Sequence, residues 1–313
     1  MRAYERHRSG KRLTIVALAG KLKLRLPDFI GVGPERTGTS WLDELLRAQA
    51  CLPDGIKETY FFNRRHSNGI EWYAWHFRAC GENQRAGEVC PYFSFPQAPQ
   101  LIARYIPQCK IICTLRDPVD RAYSHYRMLR YYEYLKPVSF EDSLTIRPHL
   151  ADSSRYAYYL VGWRQKFGTE NVLITDYDDL RSDPQGYMDA ICRFIGCAPI
   201  IVPAKSSVRS EAINAKERAA AHPRRAINGH HFLDRLRSRR AYRAIEMLDR
   251  AGLWKFCFGG GEVFPPLSAD VEERLRERFR PEVVALEDLL GRDFSAWKEP
   301  RIRDRAAGAA AGS

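Results

Sequence analysis

The segment 29–46, FIGVGPERTGTSWLDELL, constrains the fold of this chain more than any other. An apolar run ends at Gly33, a polar loop follows, and an amphipathic helix is predicted to begin at Thr39. This order is typical of a phosphate-binding loop, in which backbone N–H groups and the helix dipole hold an anion. Gly33 and Gly38 have the spacing of the nucleoside-triphosphate form, but Thr39 and Ser40 stand where that form has Lys and Ser/Thr.

The side chains of this loop supply the predicted anion contacts. Arg36 is the only cation between the two glycines, and its charge is permanent. The backbone at Gly38 can approach a ligand closely because glycine lacks a Cβ atom. Hydroxyl donors are predicted at Thr37, Thr39 and Ser40.

A second anion site is predicted where a buried strand at 109–115 meets a helix at 118–132. Arg116 leaves the end of the strand, Asp117 is a typical N-cap, and Pro118 fits the first helical position. Ser124 lies two helical turns along, on the face of Asp117. We therefore expect Arg116 and Ser124 to bind one phosphate together, separately from the group held by the first loop.

Strands alternate with helices over the first 200 residues, which predicts an α/β fold: a P-loop-type parallel sheet with helices on both faces. Further strands are predicted at 29–32, 88–90 and 172–175, and helices at 39–48, 69–80, 99–106, 155–167 and 185–195. The passage 177–184, YDDLRSDP, is interpreted as turns. Beyond residue 200 we predict helices at 212–221, 232–251 and 269–290, with mostly solvated arginines and a glycine loop at 259–261.

The chain divides into three predicted parts. A basic segment at 1–26 precedes a single domain at 27–300, which has an α/β core to about residue 200 and a helical C-terminal part at 201–300. A small-residue tail at 301–313 is predicted to be disordered. The apolar run 13–19 is too short for a membrane span and lacks a cleavage pattern, so secretion is not predicted. Peripheral membrane contact by the basic N-terminus remains an alternative.

Charge and cysteine content bound the partners and the compartment. The net charge of +12 favours an anionic partner, such as a nucleotide, an acidic glycan, a nucleic acid or a membrane surface. The eight cysteines form no C-x-x-C pair and have no zinc-type spacing, so we expect reduced cysteines in a cytoplasmic protein without a metal site. The oligomeric state is left open.

The two predicted anion sites resemble those of the sulfotransferases that use 3′-phosphoadenosine 5′-phosphosulfate (PAPS). "PERTGTSW" is similar to the family's P-K-S-G-T-T-W loop, with Arg36 at the lysine position, and "RDPVDRAYSHY" is similar to its R-[DN]-P-x-[DE]-R-x-x-S-x-Y element. The resemblance covers 29–195 and extends weakly to "LEDLLGRDFSAW". It implies PAPS as co-substrate and the bisphosphate PAP as product, without a metal.

The resemblance also implies which residues bind the co-substrate. The loop residues would hold the 5′-phosphosulfate, and Arg116 with Ser124 would hold the 3′-phosphate. A third contact is expected from the segment "PAKSSVRS", although that segment matches the family less closely. The loop residues concerned are Arg36, Thr37, Gly38, Thr39, Ser40 and Trp41, and the third contact would come from Lys205 and Arg209.

The segment 56–63, IKETYFFN, resembles the K-E-x-x-F-F segment of the heparan sulfate sulfotransferases, in which the glutamate is the proposed base. Glu58 is therefore the predicted general base, Lys57 would assist it, and Arg36 would stabilise charge on the leaving phosphate. Cytosolic-type sulfotransferases use a histidine instead. Of the histidines considered (His66, His76 and His125), His125 is the preferred alternative, because it follows Ser124 in the predicted co-substrate helix.

These features predict an enzyme that transfers a sulfuryl group from PAPS to a hydroxyl of a carbohydrate, a glycolipid or another small metabolite. A P-loop kinase or NTPase is the alternative, which the absent Lys-Ser/Thr pair disfavours. A nucleic-acid-binding protein is suggested only by charge, because no recognition motif is present, and a nucleic-acid partner is not predicted.

Overall fold

The computed structural model describes residues 24–132, 134–203 and 260–300, together with 218–220 and scattered positions between 229 and 252. Three predictions lie wholly or mostly outside these residues: the basic segment 1–26, the tail 301–313 and the helices at 212–221 and 232–251. The third co-substrate contact, predicted at Lys205 and Arg209, also falls outside them.

Four parallel strands form the central sheet, as predicted. They are β1 (Phe29–Gly33), β2 (Gly87–Val89), β3 (Lys110–Leu115) and β4 (Val172–Asp176), in the order β2-β1-β3-β4. In the register, Phe29 pairs with Gly87 on one side and with Lys110 on the other. The chain leaves β1 toward β2 but leaves β3 toward β4, so the topological switch point lies between β1 and β3.

Helices pack on both faces of the sheet. The described helices are α1 (Thr39–Leu46), α2 (Ile70–Trp75), α3 (Ala98–Tyr105), α4 (Pro118–Tyr131), α5 (Phe140–Ile146), α6 (His149–Asp152), α7 (Tyr156–Phe167), α8 (Tyr177–Ser182), α9 (Pro184–Ile195) and α10 (Ala269–Leu290). Successive residues of a strand point to opposite faces, which gives two core clusters. Ile30 and Ile111 join the cluster that includes residues of α3, α7 and α10, whereas Phe29 and Ile112 join the cluster formed with α1, α8 and α9. The helices α5 and α6 pack with α4 and α10 in a third cluster, whose described members include no strand residue.

Several predicted elements differ from the structure. The passage 177–184 contains α8, because the Asp176 side chain caps it by accepting from Asp178 N at 2.8 Å and Leu180 is buried below it. The predicted glycine loop at 259–261 overlaps a strand, β6 (Gly260–Val263), which pairs antiparallel with β5 (Arg218–Ala220). The helix predicted at 212–221 is therefore wrong at its described residues, because they form β5. The helix predicted at 69–80 ends at Trp75, and the residues that follow form turns.

The prediction that all cysteines are reduced is wrong for one pair. Cys51 and Cys80 form a disulfide, with their Cα atoms 5.5 Å apart. The fold brings them together although 29 residues separate them, so their spacing in the sequence carried no signal. The remaining described cysteines are free, and of these Cys197 is half-buried and the rest are buried. No helix in the described part of the chain is long and apolar enough to cross a bilayer.

Candidate active site

The two predicted anion-binding segments meet at the switch point of the sheet. The loop that follows β1 leads into α1, and the junction that follows β3 leads into α4. Because β1 and β3 are adjacent and parallel, their carboxyl ends place both segments at one edge of the sheet. Ligands of open α/β sheets bind in this crevice.

Backbone conformation shapes the first loop. Gly38 has φ +87°, and a Cβ atom there would lie 2.5 Å from Leu180 Cδ2. Arg36 also adopts a left-handed backbone, with φ 72°, which is uncommon for a residue with a side chain. Thr37 is buried, and its Oγ1 donates to Pro34 O at 2.8 Å, so this hydroxyl braces the loop internally.

Replacement of Gly38 tests this shape. Gly38→Ala should lower the free energy of unfolding by about 1–3 kcal/mol, because it adds left-handed strain and a steric contact. The measurement is urea denaturation. Gly162→Ala is the matched control: Gly162 lies in α7 with no atom within 4 Å of its added Cβ, so this change should stabilise the protein by about 0.5–1 kcal/mol. Equal effects of the two substitutions on the free energy of unfolding would show that the loop does not require a glycine at position 38.

The other predicted contacts of this loop lie at the start of α1. Thr39 is half-buried and Ser40 is exposed, both in the first turn. Trp41 is half-buried and meets the Tyr187 ring edge-on, with centroids 6.1 Å apart. The first turn of α1 contains no acidic side chain, so the positive end of its dipole is not opposed from within the helix.

Arg36 connects the first loop to the second segment. Its Nε donates to Ser124 Oγ at 2.9 Å, and its carbonyl oxygen accepts from Arg116 Nη1 at 3.0 Å. The Arg116 guanidinium lies over the Tyr177 ring, 4.5 Å from the centroid. The two predicted anion-binding segments are thus brought together, with Ser124 Oγ bonded to Arg36. The shared binding of one phosphate by Arg116 and Ser124 stays a prediction.

Positive charge accumulates at this junction. Burial, together with the neighbouring Arg116 and Arg127, lowers the pKa of Arg36 to about 10. Arg116 and Arg127 also line a cavity of about 360 Å³ between α4 and the segment 263–266, where Asp120 is the acidic lining residue. Arg36 stays charged at neutral pH, and an anion placed among these guanidinium groups would relieve their repulsion. Arg127 was missed in the sequence, because no motif position marks it.

Asp117 organises the start of α4 from two sides. Its Oδ1 accepts from Val119 N at 2.9 Å and from Asp120 N at 3.1 Å, as predicted for an N-cap. Its Oδ2 accepts from Arg276 Nη1 at 3.0 Å, and Arg276 also donates to Glu272 Oε1 at 2.7 Å. Arg276 is 1% exposed. The prediction of solvated arginines beyond residue 200 is therefore wrong for Arg276, which is the buried counterion of the second segment.

Glu58 lies in a charged cluster of its own segment. Lys57 Nζ donates to Glu58 Oε1 at 2.6 Å, and Tyr60 Oη donates to Glu58 Oε2. Burial acts to raise the pKa of Glu58, but Lys57 and Tyr60 outweigh it, so the pKa lies below its usual value. Glu58 is therefore an anion at neutral pH and chemically able to accept a proton. Glu58 also acts to raise the pKa of Tyr132, whereas Arg36 acts to lower it.

The histidines considered as alternative bases occupy different environments. His66 Nε2 lies 3.2 Å from Tyr105 Oη, and His76 is fully buried between Trp72 and Trp75. His125 is also buried; burial lowers its pKa to about 3, so it is neutral at physiological pH. Among the three, His125 is the one that follows Ser124 in α4.

Glu35 is a charged group that the sequence reading missed. It lies inside the first loop, and its Oε1 is 3.8 Å from His149 Nε2. Burial acts to raise the pKa of Glu35, but His149, His125 and Arg121 lower it to about 2. The loop therefore contains both a cation and an anion. In the sequence, the position of Glu35 next to Arg36 in the motif was the available signal for this charged group. Within the described residues, no cluster of His, Cys, Asp and Glu has the geometry of a metal site.

Similarity to known proteins decides the family. Residues 26–213 match the sulfotransferase domain, which is more than half of the chain. The chain belongs to the sulfotransferase family. This confirms the family and the enzyme class that the two anion-binding motifs predicted.

This sulfotransferase is 32% identical over 198 residues to bifunctional heparan sulfate N-deacetylase/N-sulfotransferase 4 of Mus musculus. That alignment covers 56% of the chain and 23% of the relative, so the chain spans less than a quarter of the relative's length. The chain is also 27% identical over 294 residues to heparan sulfate glucosamine 3-O-sulfotransferase 3A1 of Mus musculus. This alignment covers 90% of the chain and 67% of the relative.

Among solved structures, a sulfotransferase from Alicyclobacillus acidocaldarius has the same fold, with a TM-score of 0.63. The two proteins are 23% identical, and their alignment covers 88% of the present sulfotransferase and all of the other chain. The predicted α/β fold class is thus confirmed.

Proposed function

We propose that this sulfotransferase transfers a sulfuryl group from PAPS to a hydroxyl of a carbohydrate, a glycolipid or another small metabolite. The observation that carries the proposal is the contact of Arg36 Nε with Ser124 Oγ at 2.9 Å, which joins the two anion-binding segments into one cationic site. A small molecule with phosphate groups at both ends of an adenosine fits such a site. PAPS supplies the sulfuryl group when it is bound.

The residues of the site divide the work of this reaction. Arg36, the Gly38 backbone, the first turn of α1 and the Thr39 and Ser40 hydroxyls would hold the 5′-phosphosulfate end, and Arg116 with Ser124 would hold the 3′-phosphate. In the reaction, an acceptor oxygen forms a bond to sulfur while the bond from sulfur to the 5′-phosphate oxygen breaks. Arg36 stabilises the negative charge that develops on that phosphate. Its pKa of about 10 leaves it charged, so it acts as a fixed cation.

Glu58 is the proposed base that takes the acceptor proton. Two features support it: the side chain is half-buried, and Lys57 and Tyr60 lower the pKa of the carboxylate, so that it is ionised at neutral pH. Lys57, bonded to Oε1, holds the carboxylate in place and keeps it ionised. His125 is the alternative base, and its deeper burial gives an acceptor less access to it.

Removal of Arg116 tests the 3′-phosphate assignment. Arg116→Ala should raise the dissociation constant for PAP by roughly tenfold to a hundredfold, because charge-assisted hydrogen bonds to a phosphate are lost. Adenosine 5′-phosphate, which lacks the 3′-phosphate, should lose much less affinity. Isothermal titration calorimetry measures both ligands. Arg104→Ala, which removes an exposed guanidinium from α3, is the control and should leave both constants unchanged. An unchanged PAP constant in Arg116→Ala would contradict the assignment.

The acceptor is proposed to be a carbohydrate because the relatives are named for heparan sulfate. Those names include both N- and O-sulfation, so the screen must offer amines as well as hydroxyls. The experiment follows labelled sulfate from PAPS into pools of glycans, glycolipids and small metabolites. Transfer only to amines would replace the hydroxyl in the proposal, and transfer to none of the pools would leave the proposed acceptor class without support.

Calorimetry also separates the other candidate functions. PAP should bind more tightly than ATP with Mg²⁺, and the reverse order would favour a kinase or NTPase. Tight polynucleotide binding with a steep salt dependence would favour a nucleic-acid-binding protein.

We propose a cytoplasmic location. The Cys51–Cys80 disulfide argues against it, because disulfides are rare in reducing compartments. Peptide mapping of protein from fractionated cells, with and without reductant, measures the location and the cross-link together.

A further inference from the structure

We propose that Glu88 is a positioning residue for sulfuryl transfer: it holds Thr59, and through Thr59 it fixes the backbone that carries Glu58. The inference rests on the proposed role of Glu58 as the base. Glu88 lies in the segment GEVCPYF, outside the two anion-binding motifs.

Every polar group of Thr59 has a partner. The backbone N–H donates to Glu88 Oε1 at 2.7 Å, and the carbonyl oxygen accepts from Arg65 Nη1 at 3.0 Å. The Oγ1 atom lies 3.2 Å from Tyr92 Oη and accepts from Phe61 N at 3.2 Å. A residue with all of these bonds has little freedom to rotate, so its two peptide bonds are fixed in orientation.

Thr59 stands directly between the two residues that define the base. Glu58 precedes it, and Tyr60, which follows, has a left-handed backbone (φ 52°) and donates its hydroxyl to Glu58 Oε2. Rotation of the peptide on either side of Thr59 would move Glu58 and Tyr60 relative to each other. The place of the Glu58 carboxylate therefore depends on the bonds that hold Thr59.

Glu88 anchors this arrangement in the sheet. It belongs to β2, is fully buried, and accepts from Tyr73 Oη at 2.8 Å and from Tyr92 Oη at 3.3 Å besides Thr59 N. A carboxyl group is costly to bury unless donors surround it. Here the donors come from α2, from the segment after β2 and from Thr59, so one side chain ties three parts of the fold to one strand.

The test varies Glu88 and measures turnover and binding separately. Glu88→Leu removes the acceptor for Thr59 N–H at similar volume, and its kcat should fall roughly a hundredfold, as expected for a displaced catalytic group. Glu88→Gln keeps an oxygen that can accept from Thr59 N, so it should retain most of the wild-type kcat. The dissociation constant for PAP should stay within about twofold in both variants.

A double-mutant cycle with Glu58→Gln decides whether Glu88 acts through the base. In the Glu58→Gln background, Glu88→Leu should cause no further fall in the residual kcat, because the group being positioned is already gone. An additional fall of the same size in that background, or a matching loss of PAP affinity, would overturn the inference. Full activity of Glu58→Gln alone would instead overturn the proposed base.

Arg65→Met keeps the inference testable if Glu88→Leu does not fold. Arg65 bonds Thr59 O from a half-buried position, so its loss should be tolerated. The expected result is a several-fold lower kcat in the wild-type background, unchanged PAP affinity, and no effect in the Glu58→Gln background. Unchanged kcat in Arg65→Met would overturn the inference.

Discussion

Glu58→Gln should lower kcat for sulfuryl transfer by about 10²- to 10⁴-fold, the usual contribution of a general base. The amide keeps the size of the side chain but cannot accept the acceptor proton. PAP binding should survive, because the cationic site at Arg36, Ser124 and Arg116 does not include Glu58. The measurement is transfer of labelled sulfate from PAPS, with calorimetry of PAP binding on the same preparation.

Two further variants make this result specific. Glu44→Gln removes an exposed carboxylate from α1 and should leave kcat unchanged. His125→Asn examines the alternative base, and it should reduce kcat far less than Glu58→Gln does. Near-normal turnover in Glu58→Gln together with a large loss in His125→Asn would transfer the role to the histidine.

Arg276→Ala should lower the free energy of unfolding by about 3–5 kcal/mol, the usual cost of removing one partner from a buried ion pair. Arg276 donates to Asp117 Oδ2, to Glu272 Oε1 and to Trp297 O. Its removal leaves two buried carboxylates without their shared cation. Urea denaturation followed by circular dichroism measures the change.

The matched control lies on the same helix. Arg278 is exposed, and its Nη2 is 3.8 Å from Asp152 Oδ1. Arg278→Ala should change the free energy of unfolding by less than about 1 kcal/mol, because exposed ion pairs contribute little. A loss in Arg276→Ala no larger than this would show that the buried network does not stabilise the fold.

The fold and the two anion-binding segments could be predicted because their signals are local. Apolar runs mark β1 and β3, and Asp117 followed by Pro118 marks the start of α4, where the structure has the predicted cap. Glycine at positions 33 and 38 supplies the left-handed backbone that the loop requires. In each case neighbouring residues determine the geometry.

The remaining features depend on contacts between distant parts of the chain. An arginine on a polar helix such as α10 is typically solvated, and the burial of Arg276 depends on distant partners, among them Asp117, 159 residues away. The bond of Glu88 with Thr59 and the disulfide of Cys51 with Cys80 each span 29 residues without a motif. A single sequence contains no signal for such pairings.

The two-sided use of Asp117 also limits how the protein can be divided. Its Oδ1 caps the N-terminus of α4, and its Oδ2 accepts from the Arg276 guanidinium. Arg276 belongs to α10, which lies beyond residue 213, where the family match ends. A fragment that ends at residue 213 would lack the buried Arg276 guanidinium that donates to Asp117 Oδ2. We therefore expect the family region and α10 to unfold together, and a fragment that ends at residue 213 to be less stable than the full chain.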